Sequence, residues 1–237
     1  MRYIRCMFTI LLLLTILTNE GVKVSAVNTG FSTESMPENE MSSFLKNTIV
    51  SILNTEPERK PIDCFDINEN GVIAIGSSDF ENKTICIYSN NGQFLFGYRF
   101  KCNGEFGVEF AKNDLVIYFV RSNVAMAVNH MGEVVEIQEI QNTPENNSYW
   151  NNHVLSNSRK IGDTEYSLKN NFGILNVFAS SYSQLIVREA NGEERILYDV
   201  NSAQLFNMLF MFICVLLTVC LAVAVLVRQF VKLKHVM

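Results

Sequence analysis

The chain has 237 residues, a formal net charge of −5, and 48% hydrophobic against 18% charged side chains, too apolar a balance for a disordered chain or an ordinary soluble one. Six of its 19 basic residues, Arg2, Arg5, Lys23, Arg228, Lys232 and Lys234, lie at the ends, so residues 27–204 carry a net of −10. Such a middle argues against a nucleic-acid partner, whose phosphates demand a basic surface. Three His and scattered Cys argue against a zinc site.

Residues 1–26 read as a secretory signal: Arg2 and Arg5 form the basic region, Phe8 to Leu17 the apolar one, and Val24-Ser25-Ala26 the small-residue cleavage site. The rival reading is an uncleaved N-terminal anchor. Residues 27–60 follow as a polar linker and a helix. The linker covers 28–40. In 41–54, Met41, Phe44, Leu45, Ile49, Ile52 and Leu53 recur at three- and four-residue steps, which predicts an amphipathic helix stopped by Pro57 and Pro61. Its stripe lacks flanking basic residues, which favours packing on the neighbouring domain over lying on a membrane surface.

From residue 61 to 204 the period becomes two, and the pattern repeats. The first unit runs Cys64–Ile67, VIAIG (72–76), TICIY (84–88), the turn Asn91-Gly92 and QFLFGYRF (93–100). The second has VEFA (108–111), LVIYFV (115–120), VAMAV (124–128), Met131-Gly132 and EVVEIQEI (133–140). The third has YSLK (166–169), ILNVFAS (174–180), QLIVRE (184–189), Asn191-Gly192 and EERILYDV (193–200). Asn-Gly between alternating runs signals a hairpin, because both residues tolerate positive φ. The expected fold is mainly β: three tandem four-stranded antiparallel units, either an incomplete propeller or stacked sheets. Residues 65–97, FDINENGVIAIGSSDFENKTICIYSNNGQFLFG, resemble a blade of the NHL-type and related six-bladed β-propellers. The resemblance implies binding rather than catalysis. It departs from the family in number, since closed propellers use roughly four to eight blades.

Edges of an open arc invite pairing. Asp63 and Asp66 are expected to face solvent and blunt the first edge; Ile196, Leu197, Tyr198 and Val200 leave the last one unprotected. A second chain, like or unlike, is expected to cover that strand, which makes Leu197 and Tyr198 candidate contacts. Residues 141–160 are an insertion that holds Tyr149, Trp150 and His153. Aromatics in a polar loop are typical contact anchors, and the competing reading folds Trp150 back onto the β domain.

Cys64, Cys86 and Cys102 read as small buried hydrophobes or as a disulfide from Cys86 to either of the others. Asn82-Lys83-Thr84 and Asn146-Asn147-Ser148 match the glycosylation sequon. There is no nucleophile elbow, phosphate-cradling glycine loop or HExxH, so the chain is expected to be a non-catalytic protein without cofactor or metal. Residues 205–227, uncharged over 23 positions, are long enough to cross a bilayer. The basic residues of the 228–237 tail place that tail in the cytoplasm and the bulk of the chain outside. These readings converge on a single-pass membrane protein with an extracytoplasmic binding module for a protein or envelope ligand. The alternative is a structural subunit of a larger membrane assembly or homo-oligomer.

Overall fold

The computed structural model describes residues 29–112 and 114–234, with side chains as far as Val223. The signal segment expected at 1–26 lies outside the described residues.

The β pattern becomes three antiparallel sheets among the described residues. The first is a meander of β3 (Cys64–Ile67), β4 (Ile73–Asp79), β5 (Asn82–Tyr88) and β6 (Phe94–Lys101). The second is β7 (Phe106–Ala111), β8 (Asp114–Phe119), β9 (Val124–Val128) and β10 (Val134–Ile140). The third is β11 (Ser158–Ile161), β12 (Thr164–Lys169), β13 (Gln184–Arg188) and β14 (Glu194–Asp199). Two short strands from the N-terminal region complete the first two sheets. β1 (Thr33–Ser35) pairs with β10, and β2 (Ser51–Leu53) pairs with β6. Three-residue strands make poor templates for further pairing.

Those two strands correct the reading of 28–54. The stretch called a polar linker holds β1 and the buried Phe31 and Met36. Helix α1 spans Glu38–Asn47 and does not reach Leu53, because pairing of Ser51–Leu53 with Arg99–Gly97 satisfies that backbone in a sheet instead. Met41, Phe44 and Leu45 pack on the β core, with the Phe44 ring 5.0 Å from that of Phe119.

The third sheet differs from its expected strands. ILNVFAS (174–180) is not a strand; Gly173–Phe178 form a 3-10 helix, and the fourth strand is β11, from the stretch read as an insertion. A short continuous apolar run does not reveal its conformation by periodicity. Ser158–Ile161 (SRKI) is too short and polar to announce a strand, yet it pairs residue for residue with β12.

Packing puts the first sheet in the middle of the stack. One of its faces, with Ile85, Tyr98 and Phe100, meets Val108, Ile117 and Met126 of the second sheet. The other, with Phe65, Ile75 and Tyr88, meets Leu168, Leu185 and Tyr198 of the third. Burial of these alternating faces is the main force holding the stack together.

The hairpin turns that end the three meanders share one geometry. Gly92, Gly132 and Gly192 donate their N–H to the carbonyls of Ser89, Asn129 and Glu189, each at 2.9 Å. Positive φ falls on the glycine alone; Asn91, Met131 and Asn191 are not among the positive-φ residues. The turns are therefore type I turns followed by a left-handed glycine rather than two-residue loops, which is why Met131 fits as well as Asn91 and Asn191 at the position before the glycine.

Two of these turns also join neighbouring sheets. A Cβ on Gly132 would lie 2.9 Å from Ile52 Cγ1 of β2, and one on Gly92 would lie 2.9 Å from the Leu197 carbonyl oxygen of β14. Nothing lies within 4 Å at Gly192. The stack thus repeats one contact twice, second sheet on first and first on third, and stops there.

Residues 201–234 form α3 (Asn201–Lys234). Its first part, Asn201–Val223, is long and apolar enough to cross a membrane: an 18-residue stretch of it has a mean hydropathy of 2.6 and none of that stretch is buried inside the fold.

Candidate functional site

The first strands of the three sheets converge on Asp66. Its Oδ2 accepts from the Phe110 N–H of β7 at 2.8 Å, and its Oδ1 accepts from Nε of Arg159 on β11 at 2.9 Å. Arg159 also donates to the carbonyls of Phe65 and Val154, both at 3.3 Å, and its guanidinium lies 5.2 Å from the centre of the Phe65 ring. Asp66 is only 6% exposed. The expectation that it faces solvent on an edge strand is therefore overturned, because β3 is enclosed by β7 and β11. Burial is the largest influence on its carboxyl and pushes it above the ordinary carboxylate value, against the Phe110 N–H and Arg159. The arrangement is a buried, satisfied ion pair and has no open face for substrate.

The insertion folds onto the outer face of the second sheet. It begins with α2 (Pro144–Tyr149) and continues as a π-helical turn, Trp150–Val154. Trp150 is buried, its ring 4.9 Å from Phe31 and 5.5 Å from Tyr118. Tyr149 donates its hydroxyl to Glu109 Oε1 at 2.6 Å, Tyr118 donates to Oε2 at 2.5 Å, and His153 Nε2 lies 3.4 Å from Oε1. Burial and this carboxylate both push the two tyrosines up, so they stay protonated. Of the three insertion residues expected at a partner surface, His153 alone is exposed. Asn146 is buried too: its amide donates to the carbonyls of Ser32 and Gln141. In this fold, of the two sequon asparagines, only Asn82 is exposed.

The side chains of Leu197 and Tyr198, expected to be open to a partner, are buried between the third and first sheets, while β14 itself is an edge strand of its sheet, as expected. Strand 193–200 was read as uncovered because sequence does not reveal which turn approaches it; the Gly92 turn meets its backbone. The Tyr198 hydroxyl donates to the Lys60 carbonyl at 2.8 Å and accepts from the Lys60 N–H at 2.9 Å.

That contact forms one wall of a polar cleft of about 420 Å³ on the first sheet, between the 57–60 segment and β4, β5 and β6. Arg59 lies over the rings of Tyr198 and Tyr88, at 5.0 and 5.7 Å, and pairs with Glu56 at 2.7 Å. Lys60 Nζ pairs with Asp79 at 2.5 Å. Arg99 faces the cleft from β6 and is exposed. Burial pushes Tyr198 up to about 12 and the Cys86 thiol up to about 11, so both enter the cleft as neutral groups. Three cations in one cleft, one of them over two tyrosine rings, can bind a carboxylate or a polypeptide segment. The cleft was missed from sequence because 57–60 read only as the end of a helix.

Cys64, Cys86 and Cys102 are free thiols, and Cys64 and Cys86 pack into cores on opposite faces of the first sheet. No group of three or more metal-ligating side chains occurs among the described residues.

The strand-to-helix junction is tied down by polar contacts. The Asn201 N–H donates to Asp199 Oδ1 at 2.7 Å, capping α3. Asn201 Oδ1 accepts from Ser183 Oγ at 3.0 Å and from the Asn171 N–H at 3.2 Å, while Gln204 Nε2 donates to the Ser181 carbonyl at 3.1 Å. Comparison with family models, curated proteins and solved structures finds no match to this chain.

Proposed function

We propose that this chain is a single-pass membrane protein whose three-sheet domain is a non-catalytic binding module on the outer side of the bilayer. The observation that carries the reading is the junction: β14 passes into α3 with only Val200 between them, and the helix beyond is apolar and unburied by the fold. A hinge-free join of this kind suits a domain held at a fixed height over a membrane. Arg228, Lys232 and Lys234 follow the span and favour a cytoplasmic end for it.

The three sheets act as blades of an open, propeller-like arc. Convergence of β3, β7 and β11 near Asp66 and the repeated contact of terminal turns support that description. The recognition surface is the cleft of Arg59, Lys60 and Arg99, and its chemistry fits an acidic or extended polypeptide ligand. Crosslinking in intact membranes, with wild type beside Arg99→Glu, tests this reading. A crosslinked partner that is lost with Arg99→Glu supports it. The same partner captured equally by both proteins, with the variant folded, overturns the cleft as its site.

A second reading, an accessory subunit of a larger membrane assembly, draws on Asn207, an exposed amide in the outer part of α3. Such a group favours helix–helix contact in lipid. A stoichiometric complex that survives Arg99→Glu and dissociates with Asn207→Leu would favour it.

A further inference from the structure

The connection 170–183, between β12 and β13, carries no charged residue, and the uncharged stretch extends from Asn170 to Val187. Within it, the 3-10 helix Gly173–Phe178 leaves Ile174 89%, Val177 79% and Phe178 72% exposed. Three adjacent large apolar groups this open would forfeit the stabilisation of burial if water were their surroundings. Asn176 bonds to the loop's own backbone. Asn176 Oδ1 accepts from the Phe172 N–H at 2.9 Å, and its Nδ2 donates to the Asn170 carbonyl at 3.3 Å. The Leu175 and Ala179 N–H groups find the carbonyls of Phe172 and Asn176, both at 3.2 Å. Buried Phe172 and the Asn171–Asn201 contact hold the base of the loop against the start of α3.

The exposed face is continuous with the helix. Leu175 and Phe178 line one apolar cleft with Met208, Phe212 and Val215 of α3. Met208 stands seven residues past Asn201, about 10 Å along the helix axis at 1.5 Å per residue. The loop therefore runs beside the span at a depth where, on the single-span reading, the surroundings are acyl chains.

We propose that the 172–178 loop is a membrane wedge, inserted beside α3 into the leaflet on the β-domain side and fixing the rotation and tilt of the three-sheet domain on the bilayer. This rests on the single-span reading. Lipid is the occupant because the loop surface continues that of the span and because the Phe172, Leu175 and Ala179 N–H groups are bonded within the loop, which lowers the cost of placing it in hydrocarbon.

The test uses the full-length protein in nanodiscs of phosphatidylcholine brominated at defined acyl positions. Phe178→Trp, Val215→Trp and Asn191→Trp are each read in a Trp150→Phe background. Should that background unfold the domain, the same substitutions are read above the unchanged emission of Trp150. Phe178→Trp is expected to show blue-shifted emission and loss of intensity, greatest with bromines near the headgroups. Val215→Trp should be quenched by deeper bromines, and Asn191→Trp, at the far end of the third sheet, should not be quenched. Quenching of Val215→Trp without quenching of Phe178→Trp overturns the wedge and leaves the span standing. Blue-shifted but unquenched emission from Phe178→Trp would mean a protein neighbour and also overturns it. An unquenched Val215→Trp overturns the span reading itself.

Discussion

Arg159 Nε lies 2.9 Å from Asp66 Oδ1, and this pair joins the first strands of the first and third sheets beneath side chains that are almost wholly buried. Removing one member of such a pair leaves a buried charge, at a cost of about 3–5 kcal/mol. Arg159→Met should therefore destabilise the domain by that order at neutral pH. The Asp66 carboxyl is already raised from 3.8, chiefly by burial, and loss of the guanidinium should raise it further. A carboxyl raised in the folded state stabilises fully below its unfolded value, and that contribution is lost as pH rises through the folded value. Arg159→Met should thus regain stability on acidification toward 3.8. Denaturant titration across that range checks this. A variant that tracks the wild type at every pH would contradict it.

The two glycines at equivalent turns separate backbone strain from contact. Gly92 and Gly192 have φ of +81 and +86, but only Gly92 faces a backbone oxygen, that of Leu197 at 2.9 Å from a built Cβ. Gly192→Ala should cost about 1 kcal/mol for the left-handed conformation alone. Gly92→Ala should cost clearly more and loosen β14. Thermal unfolding of both variants decides this, and equal losses would mean that the Leu197 contact carries no weight.

Trp150 fills the outer face of the second sheet. Trp150→Ala should cost about 3–5 kcal/mol, as expected for a buried large aromatic, whereas His153→Ala, at an exposed ring, should change stability little. Chemical denaturation of the two variants checks the contrast. A fully stable Trp150→Ala would return this residue to the role of a surface anchor.

Tyr198 both donates to and accepts from the backbone of Lys60. Tyr198→Phe should keep the packing of the third sheet but release the 57–60 wall of the cleft, with amide exchange at Lys60 accelerating. Unchanged exchange there would show that the wall is held by Arg59 and its ring contacts instead.

Much of the β architecture was legible because hairpin units advertise themselves locally. Gly71, Gly92, Gly132 and Gly192 punctuate alternating runs, and their positive φ follows from residue type. What escaped detection depends on long-range pairing. Ser51–Leu53 looks helical until β6 offers it an edge, and Asp66 looks exposed until β7 and β11 enclose it. ILNVFAS carries enough apolar residues for a strand, and its exposed placement beside α3 follows only from the fold of 170–183. The cleft required Arg59 and Arg99, 40 positions apart in sequence, to meet over one sheet.

The central claim is that one helix separates an external β domain from an internal tail. Cysteines introduced at Asn191 and immediately after Met237 in separate full-length proteins, treated in intact cells with a membrane-impermeant thiol reagent, test it most directly. Labelling of the Asn191 site, with the C-terminal site labelled only after the membrane is permeabilised, is the predicted result. Labelling of the C-terminal site in intact cells, or protection of the Asn191 site until permeabilisation, would contradict it.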